Sequence, residues 1–312
     1  MSDIITVNKV SKSYANHKAL DNVSLNIPLG SVFGLLGPNG AGKTSLIRII
    51  NQITGPDSGE VLFNGMSLHK SHINEIGYLP EERGLYKKMA VGDQALYLAQ
   101  LKGMSRSDAT KRLKYWFERF EIKSWWTKKV EELSKGMQQK IQFIVTVVHE
   151  PKLLILDEPF TGFDPINANL IRDELIILRE KGTSIVLSTH RMESVEALCT
   201  DIALLNKSNV ILSGSIKDIR KSYRSNLFEI QYSGNTIALA NSLWGGFQLV
   251  SNENKGEYMS AVIQLSLGVT TNNLLENLIS NVTIHSFKEV VPDMNDIFIR
   301  TVQNSLTPTS NE

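Results

Sequence analysis

The segment from Gly37 to Thr44 constrains the fold of this chain more than any other part of the sequence. Its residues, Gly-Pro-Asn-Gly-Ala-Gly-Lys-Thr, match the pattern G-x-x-x-x-G-K-[ST]. A short apolar run at residues 31–36 precedes the segment, and apolar residues with helical spacing follow it at residues 44–50. A strand, a glycine-rich loop and a helix in this order predict a phosphate-binding loop.

The residue types in this loop suit a nucleoside triphosphate. Glycines allow the backbone to point several N–H groups at phosphate oxygens, and the positive end of the following helix adds to that field. Lys43 supplies a mobile cation for the β- and γ-phosphates, and the Thr44 hydroxyl is a suitable ligand for Mg²⁺. The predicted cofactors are therefore ATP and Mg²⁺, and the residues predicted to bind them here are Gly37, Pro38, Asn39, Gly40, Ala41, Gly42, Lys43, Thr44 and Ser45.

Two carboxylates follow a second apolar run and are predicted to complete this site. Leu153–Leu156 is followed directly by Asp157 and Glu158. A buried parallel strand here would carry both carboxylates to the edge of the sheet at which ligands bind. We predict that Asp157 binds Mg²⁺ and that Glu158 is catalytic, orienting or deprotonating the attacking water. His190 follows a further strand-like run, at residues 184–187, and is predicted to be catalytic through a hydrogen bond to the γ-phosphate or to this water.

The order of predicted strands and helices indicates an α/β fold with more than one domain. Strand-like runs alternate with helical patterns in the first two thirds of the chain, which is typical of a mostly parallel sheet. The 312 residues suffice for about two domains. We expect a first domain of residues 1–220, with a helical part at about 86–150. A small α+β domain of residues 221–303 is expected to follow, with strands at 228–232, 259–265 and 282–287. Residues 304–312 are expected to form a frayed tail.

The composition argues against some classes of partner. Lys and Arg total 33 against 32 Asp and Glu, so the near-neutral chain offers no electrostatic reason to expect a nucleic-acid partner. The sequence has no apolar run of the roughly 18 residues that span a bilayer and no signal-peptide start. Its one cysteine, Cys199, allows no intrachain disulfide, which fits a reducing compartment. We therefore expect a soluble, cytoplasmic protein that reaches a membrane only through a partner.

Residues 133–140, Leu-Ser-Lys-Gly-Met-Gln-Gln-Lys, introduce a resemblance to a known family. This run precedes the Asp157 strand and resembles the signature motif of the ATP-binding domains of ABC transporters. The resemblance extends over about residues 4–215. It implies a P-loop NTPase domain of the ABC type, with a mostly parallel core sheet, an antiparallel β subdomain and a helical subdomain, joined to a small C-terminal α+β domain.

The resemblance also implies roles for residues that the sequence pattern alone leaves unexplained. Ser134, Gly136 and Met137 would bind the γ-phosphate of an ATP molecule that a second subunit holds. Asp164 would lie in the loop that crosses the interface between the two subunits. Tyr14 resembles the aromatic residue that stacks on adenine, a contact that needs only a flat ring face.

Four positions depart from the commonest pattern of this family. Lys135 and Met137 occupy signature positions at which glycine and glutamine are usual. Glu81 stands where many members have glutamine, and its carboxylate remains able to contact Mg²⁺ or water. It is therefore predicted to belong to the nucleotide-binding site and to bind the metal ion. Phe163 replaces a commoner leucine.

Residues 78–86, Tyr-Leu-Pro-Glu-Glu-Arg-Gly-Leu-Tyr, resemble one branch of the family, whose members serve ABC-2-type permeases and are described as exporters of sodium, drugs or peptides. Residues 291–298 resemble the extension that follows the ATPase in this branch, for which dimerisation, stability and regulation are all open roles. The resemblance implies a homodimer closed around two ATP–Mg²⁺, an integral-membrane permease as partner and a location on the inner face of the cell membrane. Motion would pass to the permease through residues 81–89, with apolar contacts from Leu85, Tyr86 and Met89.

Two other functions are compatible with the same motifs. A soluble ABC ATPase acting on ribosomes or DNA usually carries two cassettes or a long coiled-coil insertion, whereas this sequence has one cassette and no sustained heptads between Lys43 and Asp157. A nucleotide-dependent regulator would hydrolyse little ATP. The presence of both Glu158 and His190 argues against the regulator, and the two absences favour transport.

Overall fold

The computed structural model describes residues 2–82 and 84–305. The chain divides into two compact units: the first runs to Ile216 and includes the chain again from Thr301, and the second contains Lys217–Arg300. The boundary expected after residue 220 falls inside a helix, Ile216–Ser222. The change from the first unit to the second, after Ile216, lies at the start of the same helix. Residues 306–312 of the expected frayed tail lie outside the described residues, and residue 304 ends a helix.

The secondary structure of the first unit is as follows. Its strands are β1 (Asp3–Tyr14), β2 (His17–Pro28), β3 (Val32–Leu36), β4 (Ser58–Phe63), β5 (Met66–Ser67), β6 (Ile76–Leu79), β7 (Leu153–Asp157), β8 (Ser184–Ser188), β9 (Asp201–Asn206) and β10 (Asn209–Ser215). Its helices are α1 (Lys43–Ile50), α2 (Val91–Leu101), α3 (Arg106–Arg119), α4 (Lys135–Val147), α5 (Pro165–Glu180) and α6 (Met192–Leu198), and α7 (Ile216–Ser222) follows. Within the described residues, no helix of either unit has the length and apolar character needed to cross a bilayer.

A six-stranded sheet in the order β10-β9-β3-β8-β7-β6 forms the centre of the first unit. The neighbouring strands are parallel except for β9 and β10. All residues of β3, β7 and β8 are buried, as expected when both faces of a parallel sheet are covered. Because these strands are parallel, their carboxyl ends meet at one edge of the sheet, which collects the segments that follow Leu36, Leu79, Asp157 and Ser188.

A second sheet is antiparallel and has the order β2-β1-β4-β5. Its apolar residues share one core with β3 and α1, as in the cluster that contains Leu20, Phe33 and Leu46. Tyr14 ends β1 and pairs with His17 across the turn to β2. The shared core therefore holds the β1–β2 hairpin beside the segment that connects β3 to α1.

Aromatic rings fill the interior of the helical part formed by α2, α3 and α4. The ring centroids of Phe117 and Trp126 lie 5.0 Å apart, and those of Trp116 and Phe143 lie 6.2 Å apart. Gly92 of α2 lies so close to Trp126 that a Cβ at this position would come within 2.3 Å of the indole ring. The position of α2 against Trp126 thus depends on the absence of a side chain at Gly92.

One ion pair connects this helical part to α5. Arg119 Nε of α3 lies 2.6 Å from Glu174 Oε1 of α5, and the Glu174 side chain is 4% exposed. The hydrogen bond to Glu174 raises the pKa of Arg119 above its ordinary value. Because removal of Arg119 would leave the buried charge of Glu174 without compensation, the pair restrains the position of α3.

The second unit has the chain order strand–helix–strand–strand–helix–strand. Its elements are β11 (Leu227–Ser233), α8 (Thr236–Ser242), β12 (Phe247–Asn254), β13 (Met259–Leu265), α9 (Thr271–Ile279) and β14 (Thr283–Glu289), followed by α10 (Met294–Asn304). The strands form an antiparallel sheet in the order β12-β13-β11-β14, which is the split βαβ arrangement. Its core joins Ile230 and Ile263 of the sheet to Leu239 of α8 and Leu274 of α9.

Sequence analysis missed two elements of this unit, α8 and β12. α8 has only seven residues, too few for a helical period to repeat. β12 is an edge strand whose second half is polar, so it lacks the alternation that indicates a half-buried strand. Its hydrogen bonds to β13 make it a strand, and no local pattern encodes them.

We expect Gly92→Ala to destabilise the protein by about 1–3 kcal/mol, the range for overpacked interiors. Alanine is the better helix former by only about 1 kcal/mol, which is too little to offset a methyl group placed inside the contact distance of the Trp126 ring. Urea unfolding of the two proteins measures the difference. Gly55→Ala is the matched control, because its Cβ would meet no atom within 4 Å. Equal stability of both variants would contradict the packing described here.

Candidate nucleotide-binding site

The predicted phosphate-binding loop connects β3 to α1, and three of its glycines have backbone angles that other residues rarely adopt. Gly37, Gly40 and Gly42 have φ of 148°, 78° and 110°. A Cβ on Gly37 would lie 2.3 Å from the carbonyl oxygen of Leu205, and a Cβ on Gly42 would lie 2.4 Å from that of Ala19. Gly37 and Gly42 are therefore needed both for the conformation of the loop and for its packing.

The remaining predicted residues of the loop differ in exposure. Ala41 is buried, Ser45 is half-buried, and the exposed residues are Pro38, Asn39 and Thr44. α1 begins at Lys43, and the first N–H groups of a helix have no partner within the helix. The loop and the first turn of α1 thus offer backbone donors and an exposed Thr44 hydroxyl on the same short segment.

The ammonium group of Lys43 lies over the loop and close to three carboxylates. Its Nζ donates hydrogen bonds to the carbonyl oxygens of Gly37, at 2.7 Å, and Pro38, at 3.1 Å. Burial lowers the pKa of Lys43, whereas the negative charges of Asp157, Glu158 and Glu81 raise it. The fold therefore brings the loop lysine to Glu81 and to two carboxylates, Asp157 and Glu158, that the sequence places more than a hundred residues later.

Asp157, the last residue of β7, is a buried carboxylate in this group. Burial raises its pKa, and so do the charges of Glu81 and Glu158, while the Ser188 hydroxyl and Lys43 lower it. Burial is the largest cause of this raised pKa, because it removes solvent from the ionised carboxylate. Additional positive charge at this point would stabilise the ionised form of Asp157.

Glu158 has an unusual backbone conformation and a tightly held side chain. Its φ is 50°, in the left-handed region, which costs a non-glycine residue about 1–3 kcal/mol. Its N–H donates to the carbonyl oxygen of Ser188 at 2.9 Å. Its Oε1 accepts the His190 N–H at 3.0 Å and lies 2.7 Å from His190 Nδ1. Strain of this kind persists only where surrounding contacts enforce it, and it concentrates at functional sites.

His190 and Thr189 hold the two carboxylate oxygens of Glu158 separately. The His190 ring was predicted to contact phosphate or water, and the structure adds a direct contact with Glu158 Oε1. Thr189 Oγ1 donates to Glu158 Oε2 at 3.3 Å. Sequence analysis did not select Thr189, although it lies beside His190 in a polar run at a strand end, which was the available signal.

Glu81 and Tyr14 lie at the border of this group. Glu81 is exposed two residues after β6, and its charge acts on both Lys43 and Asp157. Tyr14 is 38% exposed at the end of β1, with Lys12 Nζ 5.6 Å from the ring centroid. Its hairpin also carries the Ala19 carbonyl, which lies against Gly42 of the phosphate loop.

Ser134, Gly136 and Met137 lie in a second group, at the start of α4. Ser134 is exposed and caps the helix, accepting the Met137 N–H at 3.3 Å. A Cβ on Gly136 would lie 3.8 Å from the Gly162 carbonyl oxygen. In the part of the chain that the structure describes, no hydrogen bond joins these three residues to the phosphate loop.

Asp164 lies in the same second group and caps α5. Its carboxylate accepts the Asn167 N–H at 2.9 Å, and this bond lowers the pKa of Asp164. The side-chain amide of Gln139 in α4 donates to the Thr161 carbonyl oxygen. The starts of α4 and α5 are thus joined through the loop that follows Glu158.

Comparison with known proteins identifies the family. The family described as "ABC transporter" matches residues 20–161. The family described as "ATP-binding protein DrrA1-3-like, C-terminal domain" matches residues 214–302, which include the whole second unit. An AAA domain family also matches residues 129–196, inside the first unit.

Individual relatives agree with this result. The chain is 49% identical over 220 residues to "Uncharacterized ABC transporter ATP-binding protein YhaQ" of Bacillus subtilis, which covers 70% of this chain and 74% of that protein. It is 31% identical over 209 residues to "Lantibiotic transport ATP-binding protein SrtF" of Streptococcus pyogenes, which covers 67% of this chain and 90% of that protein.

A solved structure, "Structure of ATP binding subunit of ABC transporter", has a TM-score of 0.66 and 29% identity, covering 70% of this chain and 93% of that one. The predicted family and fold class are thereby confirmed, and the relatives support transport over action on ribosomes or DNA. The chain belongs to the ATP-binding proteins of ABC transporters.

Proposed function

We propose that this chain is the ATPase subunit of an ABC exporter and that Glu158 activates the attacking water in a site shared by two chains. Family membership establishes ATP as the nucleotide and hydrolysis coupled to transport as the reaction. The observation that carries the assignment of roles is the meeting of Lys43, Asp157, Glu158 and His190 at one edge of the core sheet.

The phosphate loop and Lys43 would bind the triphosphate. Backbone N–H groups of the loop and of the first turn of α1 donate to phosphate oxygens. Lys43 would exchange its bonds to the Gly37 and Pro38 carbonyls for contacts with the β- and γ-phosphates. The exposed ring of Tyr14 would stack on adenine.

The oxygen donors beside Lys43 fit Mg²⁺. The Thr44 hydroxyl and the Asp157 carboxylate are hard ligands of the type that this ion prefers, and the exposed Glu81 carboxylate is available directly or through water. The raised pKa of Asp157 is consistent with a site that a cation completes. Bound Mg²⁺ would neutralise negative charge on the phosphates.

Glu158 would then accept a proton from the attacking water. The water oxygen forms a bond to the γ-phosphorus, and the bond between that phosphorus and the β–γ bridging oxygen breaks, releasing ADP and phosphate. His190 holds Glu158 Oε1 and is exposed enough to reach the γ-phosphate as well. Lys43 stabilises the charge that develops on the phosphate oxygens.

A second chain would complete the site. Ser134, Gly136 and Met137 lie at an exposed helix start, a position suited to bind the γ-phosphate of a partner. Asp164 would lie at the interface. Closure of two copies around two ATP molecules then depends on contacts that only the γ-phosphate provides, and its loss on hydrolysis reopens the pair.

An integral-membrane permease of the ABC-2 type would be the other partner, with the ATPase on the cytoplasmic face of the membrane. The relative named for lantibiotic transport supports a transport function, and the match of the second unit to the DrrA-like C-terminal domain supports the branch that the sequence resembles. Tyr86 is 57% exposed beside the half-buried Leu85 and Met89. Leu85 is four residues after Glu81 in the sequence, so this short segment would link the nucleotide site to the proposed permease contact.

Glu158→Gln should bind ATP normally and lose turnover by about 10²–10⁴-fold, the usual contribution of a general base. The amide keeps the size of the side chain and removes its basicity. Phosphate release and binding of a fluorescent ATP analogue measure the two effects, and gel filtration with ATP should show persistent dimers. Glu180→Gln, an exposed glutamate at the end of α5, is the control. Substantial turnover by the Glu158 variant would refute the catalytic role.

Lys43→Ala and Ser134→Arg should each abolish turnover, and an equal mixture of the two proteins should recover part of it. The first variant loses phosphate contacts, and the second blocks the site on its partner. A mixed dimer has one site built from an intact phosphate loop and an intact Ser134. Measured phosphate release no higher in the mixture than in either variant would contradict a site shared between chains.

Tyr86→Asp should leave the turnover of the isolated protein unchanged and abolish co-purification with a multi-spanning membrane protein. A charge on this exposed ring position would have to be desolvated in an apolar interface. Pull-down from detergent-solubilised membranes, with mass spectrometry of the captured protein, is the measurement. Met66→Asp changes a similarly exposed residue of β5 and should retain the partner. Equal capture of the membrane protein by both variants would show that Tyr86 is not part of the interface.

A further inference from the structure

We propose that Thr189 is a positioning residue that holds the Glu158 carboxylate in line for proton transfer through its hydroxyl group. This inference rests on the proposed role of Glu158 as the base. Thr189 follows the last residue of β8 and is 1% exposed. Its hydroxyl therefore forms hydrogen bonds with protein groups and not with bulk water.

The hydrogen bonds of Thr189 determine the direction of its hydroxyl hydrogen. The Arg191 N–H donates to Thr189 Oγ1 at 3.1 Å, which uses a lone pair of the hydroxyl oxygen. The hydroxyl hydrogen is then available for Glu158 Oε2, 3.3 Å away. A β-branched side chain has restricted rotation about χ1, so this donor is also kept in place by its own covalent structure.

The second contact restricts rotation of the carboxylate. The terminal torsion of glutamate is broad and roughly two-fold, so one hydrogen bond at Oε1 leaves the plane of the carboxylate free to turn. His190 occupies Oε1 and Thr189 occupies Oε2, so the two contacts together define that plane. The backbone of Glu158 is held by the same segment through Ser188.

The two partners of Glu158 differ in their surroundings. The His190 side chain is 68% exposed, so its ring is free to move when nucleotide and water enter. Thr189 is buried, and the His190 main-chain N–H holds Oε1 independently of the ring. We therefore assign the lasting restraints on Glu158 to the Thr189 hydroxyl at Oε2 and the His190 N–H at Oε1, and the adjustable one to the His190 ring.

This role predicts an effect on turnover without an effect on ATP affinity. Among the described residues, the hydrogen bonds of the Thr189 side chain involve only Glu158 and Arg191. None of them reaches the phosphate loop. Loss of the hydroxyl should therefore misalign the base and leave the binding of ATP as it is.

The test compares Thr189→Val with Thr189→Ser and with a matched control. Thr189→Val keeps the side-chain size and should lower kcat about tenfold with ATP affinity changed by less than about twofold. Thr189→Ser restores the hydroxyl and should return kcat to within about threefold of the unmodified protein. Thr183→Val removes another buried threonine hydroxyl, which donates to the Pro151 carbonyl oxygen at 3.2 Å just before β8, and should leave kcat unchanged.

Thermal unfolding of all the variants separates loss of structure from loss of alignment, and Thr189→Ala replaces Thr189→Val if the latter does not fold. The proposal is overturned if Thr189→Val retains full kcat, if Thr189→Ser is as slow as Thr189→Val, or if kcat and ATP affinity fall together. Glu158→Gln separates the two hypotheses. If Glu158→Gln is fully active, the proposed function is refuted. If Glu158→Gln is inactive but Thr189→Val is fully active, only the inference about Thr189 is refuted.

Discussion

The Lys43 ammonium group and the carboxylates of Asp157 and Glu158 form the interaction on which the rest of this structure depends. A partly buried cation and a buried carboxylate are each unfavourable alone, and each raises the stability of the charged form of the other. Their approach requires that β3 and β7 be parallel members of one sheet with β8 between them. The hydrophobic burial of these strands therefore supports an electrostatic arrangement that exposed loops could not hold.

Negative charge exceeds positive charge in this group, and the excess has a chemical meaning. Three carboxylates act on one lysine. Burial, together with the charges of Glu81 and Glu158, raises the pKa of Asp157. A divalent cation bound as proposed with the triphosphate would relieve that excess of negative charge.

The two groups of candidate site residues are physically connected through the loop after Glu158. That loop has one end at Glu158 and the other at Asp164, and it contacts α4 through Gln139 and Gly136. The α4 start is the part proposed to bind the partner's ATP. A change at Glu158 therefore has a short covalent and hydrogen-bonded route to the residues that serve the other site.

The amino-acid sequence by itself determined the phosphate loop, the strands that flank it and the candidate carboxylates, because these depend on local chemistry. Gly37 and Gly42 are required by backbone angles, and four apolar residues before Asp157 are sufficient to predict a buried strand. The Ser134 and Asp164 caps seen in the structure are equally local, since each side chain accepts a hydrogen bond from the N–H three residues later. Motifs of this kind can be recognised in the sequence without knowledge of distant contacts.

Only the tertiary structure decided which of those residues touch. The contacts of Glu158 with Thr189 and His190 join residues about thirty positions apart, and they follow from the register in which Asp157 pairs with Ser188. The strand β12 likewise exists through its pairing with β13. The physical reason is that hydrogen bonds between strands and burial against a shared core are set by the whole chain, whereas a local pattern records only what each segment is able to form.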